Sequence, residues 1–133
     1  GVQATGATAI YDRFVGADGS DPDANGTAAD SIDVSGPHDA GRACRALTAS
    51  DGDAVVVADD AILRAQRLLG ETEGVFVEPA SAAAVAGVER AKATGVVDPD
   101  ETVVVVGTGS GLKDAEAATA ALDEVERPSG DSE

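Results

Sequence analysis

Residues 78–84 read Glu-Pro-Ala-Ser-Ala-Ala-Ala, and residues 102–106 read Thr-Val-Val-Val-Val ahead of the turn Gly107, Thr108, Gly109, Ser110, Gly111 and then Leu112, Lys113 and Asp114. This order sets one carboxylate, hydroxyls and a glycine-rich turn at the carboxyl end of an apolar strand, where open α/β sheets hold their ligands. The main-chain N–H groups of such a turn can cradle an anion, and its hydroxyls can meet a ring nitrogen or a phosphate. It is not a Walker loop, because Lys113 follows Leu112 instead of a glycine, and the third glycine is misplaced for a dinucleotide fingerprint. A bare glycine turn is explained equally well by tight βα geometry at positive φ. Together with Glu78 it reads as a cofactor site.

The remaining chemistry-bearing side chains have simpler readings. Glu78, ahead of Pro79, also suits the positive end of a helix dipole. Ser81 and residues 82–84 read as packing residues. His38 is the only histidine, so neither a metal site nor a histidine-based triad is expected. Cys44 is the only cysteine, which excludes an intrachain disulfide and fits a reducing, cytoplasmic setting; it reads as a small half-buried residue. Asp98, Asp100 and Glu101 read as solvated surface.

The elements that must position the site alternate between strand and helix from Asp51 onward, the signature of βα units and a parallel sheet. Residues 54–57 form an apolar strand, after which Asp59 or Asp60 caps a helix carrying Ile62, Leu63, Gln66 and Leu69 on one side and stopping near Gly70. Residues 74–77 are a second extended piece. Pro79 opens the next helix, which continues through Ala93 and closes at Gly95. After a turn at 98–101, the continuous valines of 102–106 predict a strand buried on both faces, and 115–125 predict a final acidic helix. Upstream, 10–15 read as a short helix and 17–27 as an exposed acidic loop. Residues 27–35 read as a loop into an edge strand, and 39–49 as a helix with Ala43, Ala46 and Leu47 inward.

At 133 residues the chain suffices for one domain, assigned to 1–126, with 127–133 as a disordered tail. Aromatic residues make up 2%, and tryptophan and methionine are absent, so the core is built from small side chains. The 25 acidic residues against 9 basic ones give a net charge of −16, a field that repels phosphate backbones and anionic membranes. No nucleic-acid or membrane partner is expected. Acid spread along the whole chain, with Lys92 and Lys113 as its only lysines, reads as a soluble halophilic protein whose self-repulsion is screened by salt. No stretch reads as a signal peptide or a membrane span. The first residue is Gly1 instead of Met, which reads as processing or as a piece of a longer chain.

Taken in order, residues 1–7, 29–37, 74–83 and 103–114 resemble the carboxy-terminal part of the threonine synthases, pyridoxal-phosphate enzymes of the tryptophan-synthase-β-like class (fold type II). The resemblance implies part of an open, mostly parallel, three-layer α/β sheet. It implies a reaction in which O-phospho-L-homoserine loses phosphate by γ-elimination and takes water at the β carbon, giving L-threonine. Thr108 then hydrogen-bonds the pyridine nitrogen of pyridoxal 5'-phosphate, leaving that nitrogen largely unprotonated. Gly109 and Gly111 let the backbone approach the ring, Glu78 is the carboxylate near the cofactor, and Ser110 stands where the family often has His or Asn. The family's cofactor-anchoring lysine and its phosphate-binding loop lie upstream, and neither Lys92 nor Lys113 matches that lysine. The resemblance therefore implies a segment without catalytic residues of its own, inactive until completed by its amino-terminal part, in an enzyme that is a homodimer. A threonine or serine dehydratase segment is the enzyme alternative, although those enzymes more often carry glycine where Ser81 stands. A non-catalytic acidic α/β module that binds a partner chain or a small anion is the other.

Overall fold

The computed structural model describes residues 1–17, 26–113 and 119. The acidic loop at 17–27 apart from its ends, the helix at 115–125 apart from Thr119, Asp114 and the tail at 127–133 lie outside the described residues. Two short strands, β1 (Val2–Ala4) and β2 (Val55–Val57), pair in parallel with Val2 opposite Val55 and Ala4 opposite Val57. Parallel strands need a crossover between them, and α1 (Ala9–Val15), a 3-10 turn at Asp30–Ile32 and α2 (Ala40–Ala49) supply it. The helices α3 (Asp59–Glu73) and α4 (Pro79–Ala93) follow β2. The result is an α/β arrangement around a small parallel sheet.

Helix α4 organises the core. Pro79 occupies its first turn, where a missing N–H costs nothing, and Gly95 at φ +75° follows its end. The run Ala82, Ala83, Ala86, Gly87 is buried against the strands and α3, which is possible because these side chains are small. Gly87 is demanded by close approach: a Cβ there would lie 2.2 Å from Val2 Cγ2. Ile62 is, with Pro79, a large side chain that is fully buried, contributing about 1.5–3 kcal/mol, and it packs with Ala4, Ala29, Val57 and Ala65.

Several sequence expectations are corrected. Helix α3 runs past Gly70 to Glu73 and stops at Gly74, whose φ of +65° is the left-handed conformation that ends it. The Arg67–Glu71 pair at 2.6 Å and the Thr72 hydroxyl, which donates to Leu68 O, carry the helix across Gly70. Neither Asp59 nor Asp60 caps α3, whose N-cap is Ala58. The Asp59 carboxylate instead accepts from Thr27 Oγ1 at 2.5 Å and Ala28 N–H at 2.7 Å. That anchor, with the local bonds Ile32 N–H to Ala29 O and Asp33 N–H to Asp30 O, explains why 27–35 form a 3-10 turn and no edge strand. Arg64, at 2.6 Å, and the Ala61 N–H hold the Asp60 carboxyl below the usual Asp range. A lowered value stabilises the fold at neutral pH and is lost on acidification, but this side chain is fully exposed and so contributes little.

The strand expected at 102–106 is the largest departure. None of its main-chain groups is hydrogen-bonded among the described residues, and Val104 and Val106 are 82% and 69% exposed. The segment lies across a hollow of about 330 Å³ from Val2 and Val55, with Gly87 and Val88 of α4 also on its wall. The inward face expected of α2 also meets a hollow: Ala43, Ala46 and Leu47 line an apolar space of about 480 Å³ with Ile10 and Tyr11, and no residue of α2 is fully buried. Residues 74–77 are represented only by an isolated antiparallel bridge between Val77 and Ser110. Among the described residues no helix is long and apolar enough to cross a membrane.

The close contact between Gly87 and Val2 has a measurable consequence. Gly87→Ala should lower stability by about 1–3 kcal/mol through overpacking, and Val2→Ala should relieve most of that loss. Urea-unfolding midpoints of the four combinations test this; strictly additive effects would remove the contact as the cause.

Candidate functional site

The site is assembled where the glycine turn meets the start of α4. Ser81, in the first turn of α4, is buried and points its hydroxyl at the turn. Ser81 Oγ accepts the main-chain N–H of Thr108 and that of Gly109, each at 3.0 Å, and lies 3.5 Å from Thr108 Oγ1. Two further main-chain bonds flank this junction, Glu78 N–H to Gly109 O at 3.1 Å and Gly111 N–H to Phe76 O at 3.0 Å. Inside the turn, Lys113 N–H donates to Ser110 O, and Leu112 N–H donates to Ser110 Oγ at 3.3 Å.

These bonds draw the turn so close that side chains are excluded. A Cβ on Gly109 would lie 2.1 Å from the Glu78 carboxylate, and one on Gly111 would lie 2.6 Å from the Phe76 ring. Gly109 and Gly111 are therefore required by contact, whereas a Cβ on Gly107 would lie 3.8 Å from Val77 Cγ1, and none of the three adopts positive φ. The positive-φ explanation of the turn is set aside on that ground.

The four residues singled out from the sequence come together. Glu78 is buried and its Oε2 lies 3.5 Å from Lys113 Nζ, while the Lys113 side chain is mostly exposed. Gly109 sits against the Glu78 carboxylate, and Thr108 and Ser110 are exposed on the open side of the turn. Glu78 occupies the N-cap position of α4 but makes no side-chain capping bond. Its carboxylate belongs to the turn.

Ser81, expected as a packing residue, is instead the buried hydroxyl that hydrogen-bonds the turn. The available signal was a lone hydroxyl in an alanine run, one helical position past Pro79-Ala80. A buried hydroxyl needs partners, and here the partners come from residues 27 and 28 positions away. Gln66 supports the same corner by donating from Nε2 to Val77 O at 2.7 Å.

The sequence profile described as "Pyridoxal-phosphate dependent enzyme" matches residues 1–109. The chain belongs to this family. Its cofactor is pyridoxal phosphate. The chain is 42% identical over 126 residues to the threonine synthase of Methanocaldococcus jannaschii, covering 93% of this chain and 31% of that protein. It is 41% identical to the threonine synthase of Methanosarcina acetivorans, over 96% of this chain and 31% of the relative. The threonine synthase of Mycobacterium tuberculosis is 40% identical over 89% of this chain, which again covers 31% of the relative. The chain thus spans less than a third of the length of the curated relatives it matches.

The groups at the turn are compatible with the cofactor's ring by their chemistry. A hydroxyl at Thr108, exposed on one side and backed by Ser81 on the other, offers a neutral hydrogen-bonding group to a heteroaromatic nitrogen. Main chain without Cβ at Gly109 allows the turn to seat closely on Glu78.

Gly109→Ala should cost about 1–3 kcal/mol, because the added methyl must displace a buried carboxylate or open the turn. In a Glu78→Ala background the same change should cost less than about 1 kcal/mol. Denaturant unfolding of the single and double variants reads this out; an equal cost in both backgrounds would show that Glu78 is not the obstacle.

Proposed function

We propose that this chain is the carboxy-terminal segment of a threonine synthase, which converts O-phospho-L-homoserine and water to L-threonine and phosphate with pyridoxal 5'-phosphate. The observation that carries the proposal is the run of about 40% identity to threonine synthases over 89–96% of the chain, with Ser81 and the Thr108 and Gly109 it holds inside the aligned family region. Bound pyridoxal phosphate supplies the electron sink for the elimination and replacement chemistry.

In this proposal each residue of the turn has a role. The Thr108 hydroxyl meets the pyridine nitrogen. Gly109 keeps that face of the turn free of a side chain, Glu78 places a buried carboxylate beneath the turn, and Ser110 presents a second exposed hydroxyl beside it. A neutral hydroxyl partner keeps the ring nitrogen unprotonated, which suits elimination over transamination. Lys113 is engaged with Glu78 at 3.5 Å and Lys92 is exposed near the end of α4, so the cofactor-anchoring lysine is assigned to the upstream part. The segment alone is then inactive, since it lacks a covalent anchor and a proton carrier for the substrate.

The unpaired run at 102–106 supports the same reading. Five successive residues whose N–H and C=O groups have no partner among the described residues, with exposed valines, suit the edge of a sheet that gains a neighbour. Its neighbour is assigned to the upstream part, which extends the two described strands into the open, mostly parallel, three-layer sheet of fold type II. The complete enzyme is proposed as a cytoplasmic homodimer, and the −16 charge supports a high-salt setting.

Two experiments test this. The chain extended upstream should bind pyridoxal phosphate, with the yellow absorbance of a lysine-bound cofactor, and release phosphate from O-phospho-L-homoserine, whereas this chain alone should do neither. Thr108→Val should lower the activity of the extended protein at least about ten-fold, equivalent to about 1.4 kcal/mol. Absence of cofactor absorbance in the extended protein would overturn the proposal, and conversion of L-serine or L-threonine to an oxo acid and ammonia, without phosphate release, would move it to a dehydratase. Separately, Val104→Asp should change the stability of this chain alone by no more than about 0.5 kcal/mol, as an exposed site. In the extended protein it should cost more than about 2 kcal/mol by burying a charge. Equal effects in both would place 102–106 at a surface.

A further inference from the structure

We propose that Arg13, Arg42 and Arg45, gathered where α1 packs on α2, form a binding site for a small oxyanion of the phosphate class. The two helices are tied by Cys44, whose Sγ donates to Ile10 O at 3.7 Å. A Cβ on Gly41 would lie 3.5 Å from Arg13 Nη2 and 3.5 Å from Arg45 Nη1, so these two nitrogens are no further apart than twice that distance. Arg42 and Arg45 are three positions apart, which puts them on one face of α2. All three residues are exposed.

Like charges drawn together need a reason in a chain with 25 acidic residues against 9 basic ones. Elsewhere the acid excess is used: Arg64 pairs with Asp60 and Arg67 with Glu71, each at 2.6 Å, and Lys113 meets Glu78. Among the described residues no carboxylate stands in ion-pair range of Arg13, Arg42 or Arg45. Arg90 and Lys92 also lack such a partner there, but they occupy the last turn of α4, where the helix dipole favours a cation. Arg13 has the same place in α1, whereas Arg42 stands in the first turn of α2, against the dipole. An oxyanion between the guanidinium groups relieves their mutual repulsion and the misplaced charge of Arg42 together. Guanidinium forks match the paired oxygens of a phosphate, and a dianion gains more from three cations than a carboxylate does. The −16 field turns polyanions away at long range, which restricts the site to a small ligand. Gln3 Oε1 accepts Tyr11 N–H of α1 at 2.6 Å, while its neighbour Val2 packs on Gly87 of α4, so the site lies across the sheet from α4. It does not rest on the cofactor reading of the glycine turn.

The test is NMR of the chain extended upstream, with isotope-labelled arginine, following the Nε–H signals during titration with inorganic phosphate at constant ionic strength. The Arg13 and Arg45 signals, assigned by their loss in Arg13→Lys and Arg45→Lys, should shift along one saturating curve, while those of Arg64 and Arg67 stay in place. Arg13→Gln, read at Arg45, and Arg45→Gln, read at Arg13, should each weaken phosphate at least about ten-fold. Arg90→Gln should leave the curve unchanged. A linear drift of every arginine signal, without saturation, is salt screening and overturns the site. No shift at all, as when the upstream part sets its own carboxylate on these arginines, overturns it too. Acetate that binds as tightly as phosphate overturns the phosphate class. Methyl phosphate separates the sources: binding equal to inorganic phosphate marks a phosphate monoester, much weaker binding marks the free ion, and either result upholds the site.

Discussion

One oxygen atom holds the site together. Ser81 Oγ accepts two consecutive main-chain N–H groups of the glycine turn, and that pair of bonds joins a loop to a helix 27 positions earlier in sequence. The turn would otherwise present those N–H groups unsatisfied at a half-buried corner, at about 1–3 kcal/mol each. Main-chain bonds on either side, from Glu78 N–H and Gly111 N–H, extend the junction into a short zipper. The zipper brings Gly109 against the Glu78 carboxylate and Gly111 against Phe76, which is why those positions admit no side chain. The position of Thr108 is a consequence of this seating.

The helix that carries Ser81 is itself placed by smallness. Ala82, Ala83, Ala86 and Gly87 let α4 approach both strands and α3, and Gly87 does so at the limit of contact with Val2. Small side chains pack densely but bury little area apiece, so each contributes less than a leucine or phenylalanine would. Ile62 and Pro79 are the only large side chains fully buried among the described residues. A core of this kind gains most of its stability from extent, and a two-stranded sheet with an unpaired valine run beside it is short of extent. The hollows beside 103–106 and beneath α2 mark where apolar surface still faces open space.

Local chemistry was legible in the sequence and tertiary partnership was not. Pro79 and Gly95 bracketed α4 correctly because a helix's ends are set by backbone rules that act within a few residues. Gly70 misled because a glycine inside a helix costs only about 1 kcal/mol, less than the neighbouring Arg67–Glu71 pair, the Thr72 bond and α4 packing together supply. The valines of 102–106 mark the segment as apolar, but strand status also needs a partner, and no local pattern contains one. The same holds for β1: three residues, Val2–Ala4, carry too little periodicity to be read, and become a strand through β2. Thr108, Gly109, Ser110 and Glu78 were legible as a constellation because a glycine turn and a carboxylate announce themselves by type. Ser81 hid among alanines because its role depends entirely on which distant backbone it faces.

The same residues also divide the labour of holding an anionic cofactor. This chain carries two lysines in a net charge of −16; Lys113 stands beside Glu78, and Lys92 lies near the far end of α4 from Ser81. Such a surface opposes a phosphate at long range and provides little short-range charge beside the turn to offset it. What it does offer there is neutral, the exposed Thr108 hydroxyl beside the buried Ser81. A neutral donor pairs with a ring nitrogen without adding charge, and its strength is insensitive to the salt that screens the rest of the surface. In the proposed enzyme the ring end of the cofactor is thus the part assigned to this chain. In the proposed enzyme the phosphate end and the covalent anchor belong to the upstream part, so the two portions meet across the cofactor, each supplying the interactions that its own charge permits.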